Sequence, residues 1–264
     1  VSDFTRSEQC VAACADVWRG AGEVLASAIG TIPTLGARLA KATFEPDLLV
    51  TDGGPFLVDG VLPIEATVTD HPDAHVEGLL PFSRIFDIAW HGRRHVLMGA
   101  AQLDAHGNQN ISCIGDWARP DRQLVGVRGA PGNTVNHPTS YWIPRHDRRT
   151  FVEHVDVVCG VGTDRARKAG PAATEFHHLH RVVTDLAVLD FETPERRMRL
   201  RSVHAGVTVD DVVAATGFEL EVPRLVPTTR APTACELSVL RTRLDRHAIR
   251  DRELPCRPTP TSTP

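Results

Sequence analysis

HVLMGA, residues 95 to 100, is six residues with almost no polar relief. A strand that is apolar on both sides suits a sheet covered on both faces, which is the condition of parallel α/β sheets. Upstream of it, Pro81 to Trp90 reads as a helix, Asp47 to Asp52 as a strand, Thr34 to Thr43 (TLGARLAKAT) as a helix and Glu23 to Ile29 as a short strand. Val11, Cys14, Ala15 and Trp18 recur at helical spacing between Ser7 and Arg19, and Gly20 stops that helix. From Gly53 to His75 the composition turns to Gly, Pro, Asp and Thr, the mark of a long excursion at the sheet edge. Downstream, strands are expected around Tyr141, at Val155 to Cys159 and across Val182 to Phe191, followed by helices over Asp210–Thr216 and Cys235–His247. Thr208 ahead of Asp210 and Asp211 gives the first of these two helices an acidic opening turn, and Gly217 ends it. The alternation predicts an α/β class with an open, mostly parallel sheet and helices on both faces. It predicts one domain over residues 1–250, with 251–264 a tail whose RPTPTSTP is too rich in Pro and Thr to pack.

The totals exclude several functions. A chain of 264 residues can bury a large core, and its net charge of -4 is the wrong sign for a nucleic-acid carrier. No apolar run approaches the roughly 18 residues that span a bilayer, so no membrane partner is expected. The opening VSDFTRSEQC has no basic, apolar and small-residue succession, and a cytoplasmic protein is expected. Six scattered cysteines form no Cys-x-x-Cys pair, which disfavours a zinc ribbon or a disulfide framework; they read as small, reduced core residues. Lys41 and Lys168 are the only lysines, leaving few candidates for a Schiff base.

Three stretches could carry chemistry. LLVTDGG, residues 48 to 54, ends a buried strand on an acid beside a flexible turn, where an open α/β sheet places its chemistry, so Asp52 is a candidate carboxylate. MGAAQLDAHGNQNIS, residues 98 to 112, runs a buried strand into a loop holding Gln102, Asp104, His106, Asn108, Gln109 and Asn110. Those amides offer directional hydrogen bonds without a nucleophile, or they are Asx turns closing a hairpin; both readings stand. GVRGAPGNTVNH, residues 126 to 137, surrounds Arg128 with glycines and amides such as Asn133. Glycine N–H groups can approach an anion closely and an arginine adds a fixed positive fork, whereas a surface turn with a solvated arginine would look the same. A metal site is not expected. Pro72 and Gly92 interrupt the pairs His71/His75 and His91/His95, and HHLH at 177–180 leads into a strand whose alternate residues face opposite sides. Ser112 and Ser140 lack the Gly-x-Ser-x-Gly elbow of a hydrolase.

Taken in order, these segments resemble one family. GAAQLDAHGNQNIS is similar to the GGAQ-D-x-x-GN-N-S signature of class I coenzyme A transferase β subunits of the glutaconate type. TLGARLAKATFEPDLLVTDGG, RPDRQLVGVRGAPG, RRTFVEHVDVVCGVG, RVVTDLAVLDF and HAGVTVDDVVAATGFEL match further segments of that family, covering about residues 10 to 222. The resemblance implies a ribose-phosphate-isomerase-like open α/β fold, a homologous α subunit, an α2β2 heterotetramer and an acyl-CoA site at the α–β interface. In a working transferase a β-subunit glutamate carries the acyl group and then CoA; here the family's Glu-Ser-Gly falls on Thr51, Asp52 and Gly53, and its Gly-Ser-Gly-Gly on Gly126, Val127, Arg128 and Gly129. A transferase without its glutamate and with a new arginine looks like the β subunit of the actinobacterial steroid ring-cleaving hydrolases. GRRHVLMGAAQLDAHGNQNIS, GVRGAPGNTVNHPTSYW and the C-terminal RDRE match that subgroup.

That resemblance implies hydrolytic C–C cleavage of a cyclic keto-acyl-CoA late in cholesterol catabolism, with coenzyme A as part of the substrate and no separate cofactor. It implies that Arg128 and Gly129 bind an oxyanion or substrate carboxylate. Thr51, Asp52, Gly53, Gln102, Asn108, Asn110 and Asn133 would shape the substrate pocket, and the general base would come from the α subunit. The other readings are a genuine transferase with Asp52 shifted into the nucleophile's place and a non-catalytic ligand-sensing partner of the same fold.

Overall fold

The computed structural model describes residues 3–71 and 73–254. The chain opens with α1 (Arg6–Ala15), extended by a 3-10 turn at Asp16–Trp18, then β1 (Leu25–Ala28), α2 (Thr31–Thr43) and the short β2 (Val50–Thr51). The edge excursion holds β3 (Phe56–Val58) and β4 (Val76–Leu79), and α3 (Ile85–His91) leads into β5 (Arg94–Met98). Two hairpins follow, β6 (Gln102–Leu103) with β7 (Gln109–Asn110) and β8 (Cys113–Asp116) with β9 (Arg119–Gln123). Next come α4 (Ala130–Asn136), β10 (Pro138–Ile143), α5 (Thr163–Ala169) and α6 (Pro171–Thr174). The chain continues through β11 (His178–Thr184), β12 (Ala187–Asp190), β13 (Arg199–Val203), α7 (Val209–Ala215) and α8 (Ala234–Val239).

The main sheet has the order β1-β5-β10-β11-β12-β13. Its first three pairings are parallel and its last two antiparallel, so the expected mostly parallel sheet carries an antiparallel flank. Burial on both faces is visible residue by residue. Val96 and Met98 of β5, Tyr141 and Ile143 of β10 and Val182 of β11 join one core, with Leu103, Ala130, Phe151 and Val212. Their neighbours Leu97, Trp142 and Val183 join the other, with Cys10, Cys14, Ile32, Leu35 and Leu39 of α1 and α2. Side chains alternate across a strand with period two, so a strand that is apolar at every position must be covered on both sides.

α1 begins with a capping box in which Thr5 and Glu8 satisfy each other's N–H groups. The Glu8 carboxylate also takes Arg241 and Arg250, tying α1 to the C-terminal segment. Burial alone pushes this acid up, but the Arg241 hydrogen bonds, the Thr5 N–H and the Arg250 charge outweigh it and hold its pKa at about 2.

Four expectations are corrected. Val155–Cys159 is not a strand: the Asp156 N–H donates to Gln102, and the Asp156 carboxylate accepts from the Gln102 amide and from the Gly115 N–H, so side chains replace ladder bonds there. Val182–Phe191 is two strands, because the Thr184 hydroxyl accepts the N–H groups of Leu186 and Ala187 and turns β11 back into β12. The strand over 47–52 shrinks to β2, with Leu49 meeting β1 through an isolated parallel bridge at Leu25 before Val50 and Thr51 turn to β3. The expected tail over 251–264 is corrected at its start: Ile249–Arg252 forms a 3-10 turn and Glu253 is hydrogen-bonded to α2 and Trp142, while RPTPTSTP lies outside the described residues. No helix among the described residues is long and apolar enough to cross a membrane.

Candidate active site

Parallel strands expose chemistry at their carboxyl ends. Here β1 ends at Ile29 and Gly30, β2 at Thr51 to Gly53 and β5 at Gly99 and Ala100. α4 leads into the start of β10, with Arg128 and Gly129 just ahead of its first turn. The sequence-derived site residues fall into three groups, and no hydrogen bond joins one group to another among the described residues. Thr51 is half-buried and Gly53 exposed, and Gly53 holds φ at 97°, a left-handed conformation that a side chain would strain. Thr51 Oγ1 accepts from the Gly53 N–H at 3.3 Å.

Asp52 is 4% exposed and its carboxylate accepts three backbone N–H groups. One oxygen accepts the N–H groups of Gly54 and Phe56, and the other accepts that of Val68. Beneath it lies buried Arg38, whose Nη1 donates to the carbonyls of Leu62 and Pro63 and whose positive charge is stabilised by Asp52 while burial pushes its pKa down. Asp52 therefore ties the β2–β3 turn to the excursion through three backbone N–H groups. The other carboxylate at this edge, Glu253, is spent as well. It accepts the Ile32 N–H in the first turn of α2 and the Trp142 indole N–H.

The amide loop proves to be a closed network. Asp104 makes an Asx turn to the N–H groups of His106 and Asn108 and accepts the Asn108 amide, while burial pushes its pKa up against those hydrogen bonds. Asn108 also donates to Asp164 and accepts from Gly162, and Asn110 joins Gln102 to the Cys113 carbonyl and accepts the Ser112 N–H. Gln102, Asn108 and Asn110 are 6%, 1% and 0% exposed, so they act on any pocket by holding its floor in place. Asn133 has the same character, taking Arg94 Nη1 on its oxygen and directing its NH2 at the Met98 sulfur. Of the two readings left open for the loop, the Asx-turn hairpin is the observed one.

Gln109, read from the sequence only as one amide of the loop, is fully buried, and its amide donates to the Gly99 carbonyl, fixing the end of β5 from behind. Its signal was the pair Gly160 and Gly162. A Cβ at Gly160 would lie 2.7 Å from the Gln109 oxygen, and one at Gly162 2.6 Å from the Asn108 nitrogen, so glycine is required at both.

Arg128 is exposed and makes no hydrogen bond or ion pair among the described residues. Its φ is 52°, a left-handed conformation that costs a non-glycine residue about 1–2 kcal/mol. Free charge on strained backbone, beside Gly126 at φ 84° and the half-buried Gly129, is the arrangement of a group held out for a ligand. Among the described residues this edge thus presents the Thr51 hydroxyl, glycine N–H groups and the Arg128 guanidinium, while the carboxylates of Asp52 and Glu253 accept hydrogen bonds from within the chain.

A coenzyme A transferase family model matches residues 21–215, and the chain belongs to that family. Within it, the chain is 48% identical over 254 residues to the cholesterol ring-cleaving hydrolase IpdB subunit of Rhodococcus jostii (strain RHA1), covering 96% of this chain and 98% of that one. It is 47% identical over 251 residues to the subunit of the same name from Mycobacterium tuberculosis (strain H37Rv), covering 95% and 98%. The crystal structure of R. jostii RHA1 IpdAB superposes with a TM-score of 0.90, over 96% of this chain and 100% of that one. The decarboxylase AibA/AibB shares the fold at 25% identity and a TM-score of 0.78, over 96% and 99%.

Proposed function

We propose that this chain is the β subunit of a heteromeric hydrolase that opens the last steroid-derived carbocyclic ring of a cyclic keto-acyl-CoA, working with a homologous α subunit in an α2β2 complex in the cytoplasm. The observation that carries this reading is the carboxyl edge itself. Where a transferase of this family keeps its glutamate the chain has Thr51, and neighbouring Asp52 is locked by three backbone N–H groups. A chain without a free carboxylate there has no group to carry an acyl residue, whereas water can still attack.

In the proposed reaction a base on the α subunit takes a proton from water as its oxygen bonds to the ring ketone carbon. The tetrahedral oxyanion then collapses and breaks the bond to the thioester α-carbon. That electron pair passes into the thioester as an enolate, which takes a proton at the α-carbon, and the former ketone becomes a carboxylate on the opened chain. Arg128 and the Gly129 N–H stabilise an oxyanion or hold a substrate carboxylate, where preorganised donors act most strongly. Thr51 and Gly53 border the substrate. Coenzyme A enters as part of the substrate, and the free cysteines, Cys10, Cys14, Cys113 and Cys159 buried and Cys235 exposed, suit a reducing compartment.

The test uses the co-purified complex. Turnover in H2(18)O is expected to place one label in the new carboxylate, and Arg128→Ala is expected to lower kcat/KM by about tenfold or more, about 1.4 kcal/mol of transition-state stabilisation. Unlabelled product together with hydroxylamine capture of an enzyme thioester on Asp52 would replace hydrolysis by transfer.

A further inference from the structure

Three arginines are buried among the described residues, Arg38, Arg94 and Arg250. Arg250 is paired with Glu8 and Asp245 at 2.9 Å, and the Asp52 charge supports Arg38. Arg94 has no such acid. It is 6% exposed, its Nη1 and Nη2 donate at 2.9 Å to the neutral oxygens of Asn133 and Ser27, and its Nε is buried without a partner. Burial, acting alone, pushes its pKa down to about 10, which leaves the group charged at neutral pH. A buried cation held only by neutral oxygens is costly, and an apolar side chain of similar volume is often as stable. Local rules of this kind are broken mostly at functional positions.

What Arg94 holds is specific. Asn133 lies one turn into α4, and its N–H donates to the Gly129 carbonyl at 2.9 Å. A Cβ on Gly129 would lie 3.8 Å from both Oδ1 and Nδ2 of Asn133, so that amide packs directly against Gly129. With Oδ1 on Arg94 and Nδ2 on the Met98 sulfur at 3.7 Å, the amide cannot turn without losing both contacts. The cation therefore lies one residue behind the backbone to which the proposed reaction gives its oxyanion.

We infer that Arg94 is a positioning residue for that reaction: its uncompensated charge holds the Asn133 amide against Gly129 and favours negative charge developing at the Gly129 N–H. This rests on the ring-opening reading and adds to it a residue that touches no substrate. A field that acts on charge present only in the transition state is read in kcat, while KM stays in place.

Two substitutions neutralise the charge in opposite ways and are compared in the co-purified complex. Arg94→Met takes out the cation, and Asn133→Asp supplies the missing anion while keeping an oxygen for Nη1. Each is expected to lower kcat by about fivefold or more, less than the roughly hundredfold of a direct oxyanion donor, with KM within about twofold. The urea midpoints of both are expected near or above wild type, because each removes an uncompensated buried charge. Arg94→Lys, which keeps the charge without the fork, is expected to hold kcat within about threefold of wild type. A folded Arg94→Met complex with wild-type kcat overturns the inference, as does a loss of kcat that Arg94→Lys does not restore. A rise in KM in place of the fall in kcat, or a fall in kcat that tracks a collapsed midpoint, overturns it too. Should Arg94→Met fail to assemble, wild-type kcat in Asn133→Asp does so alone. The assays are run in H2(18)O: with labelled wild-type product these failures fall on Arg94 only, whereas unlabelled wild-type product overturns the ring-opening reading and this inference with it.

Discussion

A buried carboxylate survives in a fold only when donors replace the water it has given up, and Asp52 has three of them, the N–H groups of Gly54, Phe56 and Val68. Removing the acceptor strands those donors, so Asp52→Ala is expected to destabilise the protein by about 2–3 kcal/mol in denaturant unfolding. Asp52→Asn keeps one oxygen acceptor and is expected to cost about half as much, with catalysis by the complex within a fewfold of wild type. A well-folded Asp52→Asn complex with activity lost a thousandfold would make Asp52 catalytic after all. The stretch LLVTDGG signalled a carboxylate at a strand end, and it was right about position. What it could not carry is the destination of the oxygens, since Val68 meets Asp52 only after the excursion folds back, 16 residues later. Arg128 was more legible, because a non-glycine residue between glycines in a loop already stands out.

Between elements, α1 and α2 cross closely at Gly36. A Cβ there would sit 2.7 Å from the Cys14 Cβ and 3.0 Å from the Ala15 nitrogen, so the two backbones approach as closely as the absence of a side chain allows. Ala is the better helix former by roughly 1 kcal/mol, which favours Gly36→Ala locally. Overpacking against a main chain that cannot swing aside costs about 1–3 kcal/mol or more and wins. Gly36→Ala is therefore expected to lower the unfolding midpoint, whereas an unchanged or higher midpoint would mean that α1 yields. Helices and central strands were legible because their signals are local: helical spacing in 7–19 and unbroken apolarity in 95–100. Segment 155–159 misled because its apolar residues imitate a strand, while the Asp156 N–H donates to Gln102 and the Asp156 carboxylate accepts the Gly115 N–H, both more than 40 residues away.

Across the whole molecule the core holds ionisable groups in the form that folding at neutral pH favours, and this sets its acid sensitivity. Burial pushes the pKa values of His95, His180 and His204 down to about 3 from the ordinary 6.5. His204 is fully buried, with Nε2 against the Thr184 carbonyl at 2.9 Å and Nδ1 unpartnered. Below pH 6.5 the unfolded chain binds protons that the folded chain refuses, so this contribution is present above 6.5 and is lost as pH falls toward 3. Each group can add up to about 1.4 kcal/mol per pH unit to the slope. Glu8 acts in the same direction over a lower window: its folded pKa of about 2 lies below the ordinary 4.5, so its contribution is present above 4.5 and fades as pH falls through 2. Stability of the complex, measured by urea unfolding, is therefore expected to fall steadily from pH 7 to pH 5, before most carboxylates begin to titrate. His204→Gln is expected to lower overall stability but to flatten that slope by up to about one proton. A flat profile from pH 7 to 5, or a slope that His204→Gln leaves untouched, would mean that these rings reach solvent and protonate without unfolding the chain.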